Sequence, residues 1–182
     1  DALPILPNDG ERNLIMSADG KLQLIGINRE LNEDQQVLAH LIVHGDRMVG
    51  YDIRIKQAVT FKPNGYFTIV MNCCVDGEVH VNTRFALASS KEEFQMPEHL
   101  MGIVHDKSTW ARKGLSVFNT VIEPGWKGFL TLELVYHGNE ELIIPADAGI
   151  AQVVFHSLSD HAAYAGKYQN QEDMPVAPRN TV

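Results

Sequence analysis

The sequence predicts a mainly β protein whose strands form an antiparallel sandwich or a barrel-like fold. Many short strand patterns follow one another at intervals of about 8–12 residues, with turn signals between them. Only one or two stretches carry a helical pattern, and the sequence has no internal repeat. A chain of 182 residues can bury roughly two-thirds of its unfolded surface, so we expect one domain over residues 1–182.

The first fifty residues predict an arm, a strand and a helix, in that order. Proline and glycine turns in residues 1–20 predict an arm that leads to a short strand at Leu22–Ile27. The best helix candidate runs from Asn32 to His44, because its apolar residues share one face. Asn32 can cap its first turn and Gly45 can end it.

From Val49 onward the hydrophobic period changes to two, which is typical of strands. Tyr51–Lys56 alternates apolar and polar residues, and Asp52 is expected on the exposed polar face. After a break at Pro63–Gly65, a strand is predicted at Tyr66–Val75. Asp76-Gly77 is then a strong hairpin turn signal, and Glu78–Ala88 is predicted as the returning strand.

The second half of the chain predicts further short strands. The expected elements are a polar loop at Lys91–Leu100, a strand at Met101–His105, a hairpin of Phe118–Ile122 with Gly128–Tyr136, and strands at Leu142–Ile144 and Ala148–Leu158. After Ser159 the tail is too polar to build a core, so it is either disordered or a lid that orders over an anionic ligand.

Composition and charge exclude several classes of function. A formal net charge of −8 argues against broad binding to nucleic acid or to anionic membranes, although it allows a small anionic ligand. No apolar run approaches the roughly twenty residues of a membrane span, and no signal-peptide pattern opens the chain. Cys73 and Cys74 are adjacent, a poor geometry for a mutual disulfide, so we expect reduced cysteines in a cytoplasmic protein. The eight histidines lack metal-site spacing, which predicts no metal ligands and no zinc.

A cluster of hydroxyls and cations lies at a predicted short helix. Ser108, Thr109, Arg112 and Lys113 fall where the helix starts, and Gly114 can end it. Hydroxyls and backbone N–H groups at such a start, with cations nearby, favour an anion. Ser108 lacks the surroundings of a serine nucleophile, so it either positions a water or a phosphate or only caps the helix.

Two carboxylates follow this cluster within thirty residues. Glu123 belongs to the tight Glu123-Pro124-Gly125 turn, where it either orients a water or a sugar hydroxyl or is an ordinary turn residue. Glu133 shares one strand face with Phe129, Thr131 and Val135, so it is either partly desolvated or faces solvent. Desolvation would raise its pKa towards that of a useful general acid and base.

These motifs together resemble the dCTP deaminase / dUTPase superfamily, with the closer likeness to the deaminases. The likeness runs from about Gly50 to Gln171 and is weak over residues 1–48. It rests on Tyr51-Asp-Ile-Arg, Leu87–Gly102, Lys107-Ser-Thr-Trp-Ala-Arg-Lys-Gly-Leu115, Val121-Ile-Glu-Pro-Gly-Trp-Lys-Gly128, Leu132-Glu133, Gly149-Ile-Ala-Gln152 and Gly166-Lys-Tyr-Gln-Asn-Gln171.

The resemblance implies a homotrimer of distorted jelly-roll, β-clip-like subunits, with active sites between subunits and residues 160–182 as a flexible lid. The reaction it implies is metal-independent deamination of dCTP to dUTP, with Mg²⁺ arriving on the triphosphate and with no zinc. By position, Glu133 matches the acid/base, and Ser108 and Arg112 match the residues that hold it and the water. The implied substrate-binding positions are Lys107, Thr109, Asn119, Thr120, Glu123, Trp126, Gln152, Tyr164, Lys167 and Gln171.

Two positions depart from the family pattern. The turn acid is Glu123 where the deaminases normally carry Asp, and Asn119-Thr120 replaces an alanine–histidine pair of the monofunctional enzymes. Some relatives also split dUTP into dUMP and pyrophosphate, so that second activity stays open. The remaining alternatives are a dUTPase-type pyrophosphatase and a non-catalytic module that binds nucleotides.

Overall fold

The computed structural model describes residues 12–16, 22–26, 41–44, 47–63, 67–73 and 77–179, and these residues form fourteen strands and one short helix. The strands are β1 (Arg12–Met16), β2 (Leu22–Gly26), β3 (Leu41–His44), β4 (Arg47–Arg54), β5 (Val59–Pro63), β6 (Phe67–Cys73), β7 (Gly77–Asn82), β8 (Phe85–Gln95), β9 (Leu100–Asp106), β10 (Leu115–Val117), β11 (Val121–Ile122), β12 (Lys127–Tyr136), β13 (Leu142–Ile144) and β14 (Gly149–Ser157). The helix, α1, spans Ser108–Ala111.

The named strands form four sheets, and all their pairings are antiparallel. A five-stranded sheet has the order β11-β9-β14-β4-β3, a four-stranded sheet has the order β13-β5-β6-β7, a three-stranded sheet has the order β10-β12-β8, and β1 pairs with β2. The predicted mainly β, antiparallel fold is therefore confirmed.

One hydrophobic core is shared by the three larger sheets. Ile53 of the five-stranded sheet, Phe61 of the four-stranded sheet and Leu132 of the three-stranded sheet are all buried in the same cluster. Strand β12 alternates strictly, with Leu130, Leu132, Leu134 and Tyr136 inside. Each such leucine adds about 1.5–3 kcal/mol of stability on burial, and together they fix which face of β12 points outward.

A buried ionic network joins the five-stranded and three-stranded sheets. The Arg54 side chain is fully buried on β4 and pairs through Nε with Glu92 of β8, which also accepts from the Arg54 backbone N–H at 3.0 Å. The Tyr51 hydroxyl donates to the same carboxylate at 3.0 Å. Burial raises the pKa of Glu92, while the Arg54 guanidinium opposes that shift. Among the described residues, Nη1 and Nη2 of Arg54 have no hydrogen-bond partner, so Glu92 is the main compensation for this charge there.

We expect Glu92→Ala to lower the free energy of unfolding by about 3–5 kcal/mol, because it leaves the Arg54 charge buried without its partner. Chemical denaturation measures this loss. Glu93→Ala is the matched control, since the neighbouring Glu93 makes only a partly exposed pair with Lys127 at 3.5 Å and should cost about 1 kcal/mol or less. Equal losses in the two variants would contradict the role given to Glu92.

The same network explains why the loop predicted at Lys91–Leu100 is wrong over residues 91–95, while residues 96–99 do form a loop. Strand β8 continues to Gln95, and its register against β12 shifts between Phe129 and Thr131. A β-bulge of this kind re-aims side chains, and here the polar Glu92 turns inward to Arg54. Because Glu92 is a charged residue, the sequence alone predicts that it is exposed to solvent. In the structure it is buried and paired with Arg54.

Other predicted elements also need correction. The end of the predicted helix at Asn32–His44 is strand β3, whose Leu41 pairs with Tyr51; residues 32–40 lie outside the described residues. A short β-branched run is ambiguous between helix and strand, and pairing with β4 decides it. The arm predicted for residues 1–20 contains strand β1. The single strand predicted at Glu78–Ala88 is split at Thr83-Arg84 into β7 and β8, which belong to different sheets.

The hairpin predicted around the Pro-Gly turn is wrong as well. Strand β11, before the turn, pairs with β9, while β12, after the turn, pairs with β8 and β10. The turn therefore carries the chain from one sheet to another. This crossing places the turn at the edge of a pocket rather than at the tip of a hairpin.

Candidate functional site

A pocket of about 280 Å³ lies between β8, β12, the turn after β11 and the C-terminal tail. Its walls combine apolar side chains with a few polar ones, as is usual for a small-molecule site. The lining residues are Phe85, Leu87, Thr120, Val121, Ile122, Glu123, Trp126, Leu130, Thr131, Glu133, Tyr164, Tyr168, Gln171, Val176 and Pro178. Six residues predicted from the sequence are thus brought together: Thr120, Glu123, Trp126, Glu133, Tyr164 and Gln171.

Glu133 lies on the outward face of β12, opposite Leu87 of β8. Its side chain is half-buried, and burial raises its pKa above the ordinary value of a glutamate. No arginine or lysine contributes to this shift, so desolvation in the pocket is its main cause. The alternative of a fully solvent-facing carboxylate is excluded. A carboxyl group whose pKa is raised in this way can accept a proton and return it more readily than an ordinary glutamate.

The turn that follows β11 supplies a second carboxylate and an aromatic wall. Gly125 takes a positive φ of 72°, which closes the turn, and Trp126 donates its backbone N–H to the Glu123 carbonyl at 3.1 Å. The Trp126 ring is buried, and its Nε1–H donates to the carbonyl of Tyr168 at 2.8 Å. Glu123, from the turn between two sheets, and Glu133, from β12, therefore line one pocket.

The C-terminal tail is folded back onto β12 in the described residues. Gln171 forms an isolated parallel bridge with Gly128, and its carbonyl accepts from the Phe129 N–H at 3.1 Å. Thr131 Oγ1 accepts two donors from the tail, Gln171 Nε2 at 2.5 Å and the Val176 N–H at 3.0 Å. The described tail is thus docked over the pocket, which favours the lid over the disordered alternative.

Gly128 permits this docking. Its φ is +143°, and a Cβ placed there would meet the Gln171 nitrogen at 2.5 Å. We expect Gly128→Ala to weaken tail docking by about 1–3 kcal/mol, through backbone strain and the clash. Limited trypsin digestion reads this out as faster cleavage after Lys167.

Gly77→Ala is the matched control for this variant. Gly77 also has a positive φ of 98°, but nothing lies within 4 Å of a Cβ built there. Strain without the clash should leave cleavage of the tail unchanged. A tail that is released equally in both variants would show that the contact with Gln171 does not hold it.

A second group of predicted site residues lies elsewhere on the chain. It consists of Gln152 on β14 and of four residues that belong to α1 or cap it: Lys107, Ser108, Thr109 and Arg112. None of them lines the pocket that holds Glu133. The side chains of Ser108, Thr109 and Arg112 are exposed. Lys107 is the N-cap and makes no side-chain cap hydrogen bond. The single chain does not bring Ser108 and Arg112 to the pocket that holds Glu133, although both lie within about 25 residues of Glu133 in sequence.

Asp52 organises this second group, and its predicted surface exposure is wrong. It is buried at 6% exposure in the five-stranded sheet, next to Gln152 in register. Gln152 Nε2 donates to Asp52 Oδ1 at 3.1 Å, and Lys107 forms an ion pair with Oδ2. The carboxylate is therefore buried because two donors from neighbouring segments satisfy it. Sequence alternation alone did not indicate these partners.

Two predicted residues lie outside both groups. Asn119 is exposed and does not line the pocket, while Lys167 lies in the tail next to Tyr168. Conversely, Thr131 and Tyr168 line the pocket but were not predicted from the sequence as site residues. Thr131 could have been found, because it lies two positions before Glu133 on the same strand face. Tyr168 gave no comparable signal, since its place depends on how the tail folds back.

No group of three or more His, Cys, Asp or Glu side chains among the described residues is placed to hold a metal ion. In that same part of the chain, no helix is both long enough and apolar enough to cross a membrane.

Comparisons with known proteins agree with the motifs. Residues 75–158 match the family model described as dCTP deaminase-like. The dCTP deaminase of Chlamydia pneumoniae is 31% identical over 165 residues, covering 82% of this chain and 87% of that protein. The dCTP deaminase of Roseiflexus castenholzii is 36% identical over 160 residues, covering 80% of this chain and 86% of that protein. The solved EIAV dUTPase is 14% identical and covers 70% of this chain and 91% of that one, at a TM-score of 0.47, a likeness too weak to carry an argument.

Proposed function

This chain belongs to the dCTP deaminase family, and from that premise we propose that it hydrolyses dCTP to dUTP and ammonia in pyrimidine deoxynucleotide metabolism. The observation that carries this proposal is Glu133, a half-buried carboxylate of raised pKa in a pocket lined by aromatic and apolar side chains. Such a group is matched to moving a proton from water to a leaving group.

The proposed chemistry needs one carboxylate that acts twice. As a water oxygen bonds to C4 of the cytosine, Glu133 accepts one of the water protons. It passes this proton to ring nitrogen N3, then takes the remaining proton from the hydroxyl at C4 and passes it to the departing amino group. The C4–N bond breaks, ammonia leaves, and a carbonyl remains at C4. The raised pKa helps both transfers, because a carboxylate of ordinary acidity would return the proton poorly.

We propose that Ser108 and Arg112 reach this pocket from a neighbouring subunit of a homotrimer. The split site supports this assembly, since one chain holds Glu133 and the α1 group in separate places. In the assembled site, Ser108 would hold the water and Arg112 would hold Glu133. Lys107, Thr109 and Gln152 would come with α1 and β14, so that each site is complete only with its partner.

The remaining predicted residues have proposed roles in binding the nucleotide. Trp126, Tyr164 and the nearby Asn119-Thr120 segment are proposed to contact the base and sugar, and Lys167 and Gln171 to close over the phosphates. Mg²⁺ is proposed to arrive on the triphosphate, since a small hard cation is readily bound by phosphate oxygens. A cytoplasmic location is proposed from the adjacent, reduced cysteines.

A second candidate function is supported by a specific observation. Glu123 lines the same pocket as Glu133, so a second water could be activated near the phosphates of dUTP. That water would attack phosphorus and split dUTP into dUMP and pyrophosphate, either as the main activity or after deamination. A non-catalytic nucleotide-binding module is the weaker alternative, because simple binding gives no use for a desolvated acid.

The test is one reaction of purified protein with dCTP and Mg²⁺, with nucleotides separated by chromatography and ammonia measured. Accumulation of dUTP with equal ammonia is the result we expect. Direct formation of dUMP and pyrophosphate would mean that both activities share the pocket. Unchanged dCTP would overturn the deaminase proposal, and a parallel reaction with dUTP would then decide between a pyrophosphatase and a binding module.

A further inference from the structure

Two cationic side chains of the tail, those of Lys167 and Arg179, each bind the backbone of the other residue. Lys167 Nζ donates to the Arg179 carbonyl at 2.6 Å, and Arg179 Nη1 donates to the Lys167 carbonyl. Both charged groups lie near the ring of Tyr168, Lys167 Nζ at 5.2 Å and Arg179 Cζ at 5.7 Å from its centroid. The Tyr168 hydroxyl also accepts from the Arg179 backbone N–H at 3.2 Å. These reciprocal contacts hold Lys167 and Arg179 together next to the Tyr168 side chain.

Among the described residues, this pair lacks the carboxylate partner that several other lysines have. Lys56 pairs with Asp173, Lys107 with Asp52 and Lys127 with Glu93. Within that part of the chain, no carboxylate lies within ion-pair distance of Lys167 or Arg179. In a protein of net charge −8, two exposed cations with no such partner are a local exception. An anionic ligand would supply the missing counter-charge.

The pair also lies at the mouth of the pocket that holds Glu133. Tyr168 and Pro178, the chain neighbours of the two cations, both line that pocket. The hydrogen bond from Trp126 Nε1 to the Tyr168 carbonyl anchors this part of the tail to the turn. Each cation uses one N–H donor in the contacts described above, so the ammonium keeps two donors and the guanidinium keeps four. Both side chains are exposed, so these donors are accessible to an anion at this edge of the pocket.

We propose that Arg179 is a further substrate-positioning residue, which with Lys167 binds the terminal phosphates of the nucleoside triphosphate. This inference rests on the proposed function for its substrate, and it goes beyond the family motif, which ends at Gln171. A guanidinium can bind two phosphate oxygens at once, while an ammonium acts as a point charge. The pair therefore discriminates triphosphates from monophosphates by the length of the phosphate chain.

Titration calorimetry with inorganic tripolyphosphate, dCTP and dCMP, each with Mg²⁺, tests the proposal without requiring turnover. Arg179→Gln is expected to weaken binding of tripolyphosphate and dCTP roughly tenfold, the loss of a charged hydrogen bond, and to leave dCMP unchanged. Arg179→Lys should restore part of the affinity. Lys62→Gln is the control, because it removes one exposed positive charge from β5, away from the pocket.

The outcomes separate this inference from the proposed function. Unchanged affinity of Arg179→Gln for tripolyphosphate and dCTP, or equal losses in Lys62→Gln, would overturn the role of Arg179 even if dCTP is deaminated. No measurable binding of tripolyphosphate by the unmodified protein would overturn it as well. Loss of tripolyphosphate binding in Arg179→Gln alone would support the phosphate site even if dCTP proved not to be the substrate.

Discussion

Glu133→Gln is expected to reduce ammonia release from dCTP by roughly 10³-fold or more, because the amide cannot accept the proton of the attacking water. The side chain keeps its size and its place on β12, so the affinity for dCTP should change little. Ammonia release and calorimetric binding of dCTP, measured on the same preparation, give the two readouts. Glu140→Gln, an exposed loop position, is the control for loss of one carboxylate.

The pH dependence of the deamination rate of the unmodified protein should also reflect the ionisation of Glu133. The deprotonated form of Glu133 is the one that accepts the proton, and burial raises its pKa. The rate should therefore rise with pH through this raised pKa and fall as pH drops below it, at a higher pH than for an ordinary glutamate. A Glu133→Gln variant that deaminates at the normal rate would remove Glu133 from the mechanism.

The second large effect is expected from mixing two inactive variants. Glu133→Gln damages the pocket half of the site, and Arg112→Ala damages the α1 half, so each homotrimer should be inactive. In trimers that contain both variants, about one interface in three would join an intact pocket to an intact α1 group, if neighbouring subunits share each site. Deaminase activity should return to about that fraction.

Two controls make this experiment decisive. The variants are co-expressed with different affinity tags, and mixed assemblies are purified through both tags before the assay. Pairing Glu133→Gln with Glu133→Ala puts both defects in the same half and should restore nothing. Confirmed mixed assemblies of Glu133→Gln and Arg112→Ala without activity would mean that both halves work within one chain.

The fold of this chain was easier to predict from the sequence than its site. The alternation of β12 fixed the outward face of Glu133, since a strand has only two faces and the leucines need one of them. The pairing of β11 was not predictable, because its partner is β9, which lies earlier in the chain, and not β12, the next strand. Short apolar runs such as Leu41–His44 carry too few residues to separate a helix from a strand.

Six of the residues predicted from the sequence line one pocket, but the separation of the other predicted residues from that pocket was not predicted. The motif around Ser108 and the acid at Glu133 are close in sequence, which suggests closeness in space. The structure instead separates them, because the chain passes from α1 through β10 and β11 before it enters β12. Contacts such as Thr131 with Gln171 depend on the path of the tail, and no periodicity in the tail predicts that path.

The two tryptophans give each half of the site its own natural fluorophore. Trp126 lies under the tail and donates to the Tyr168 carbonyl, while Trp110 lies in α1 and donates to the Gly149 carbonyl at 2.8 Å. The chain contains no other tryptophan. A Trp110→Phe variant would thus emit only from beneath the tail, and a Trp126→Phe variant only from the α1 group. Ligand-induced changes at the two halves can be followed separately, in solution and without an added label.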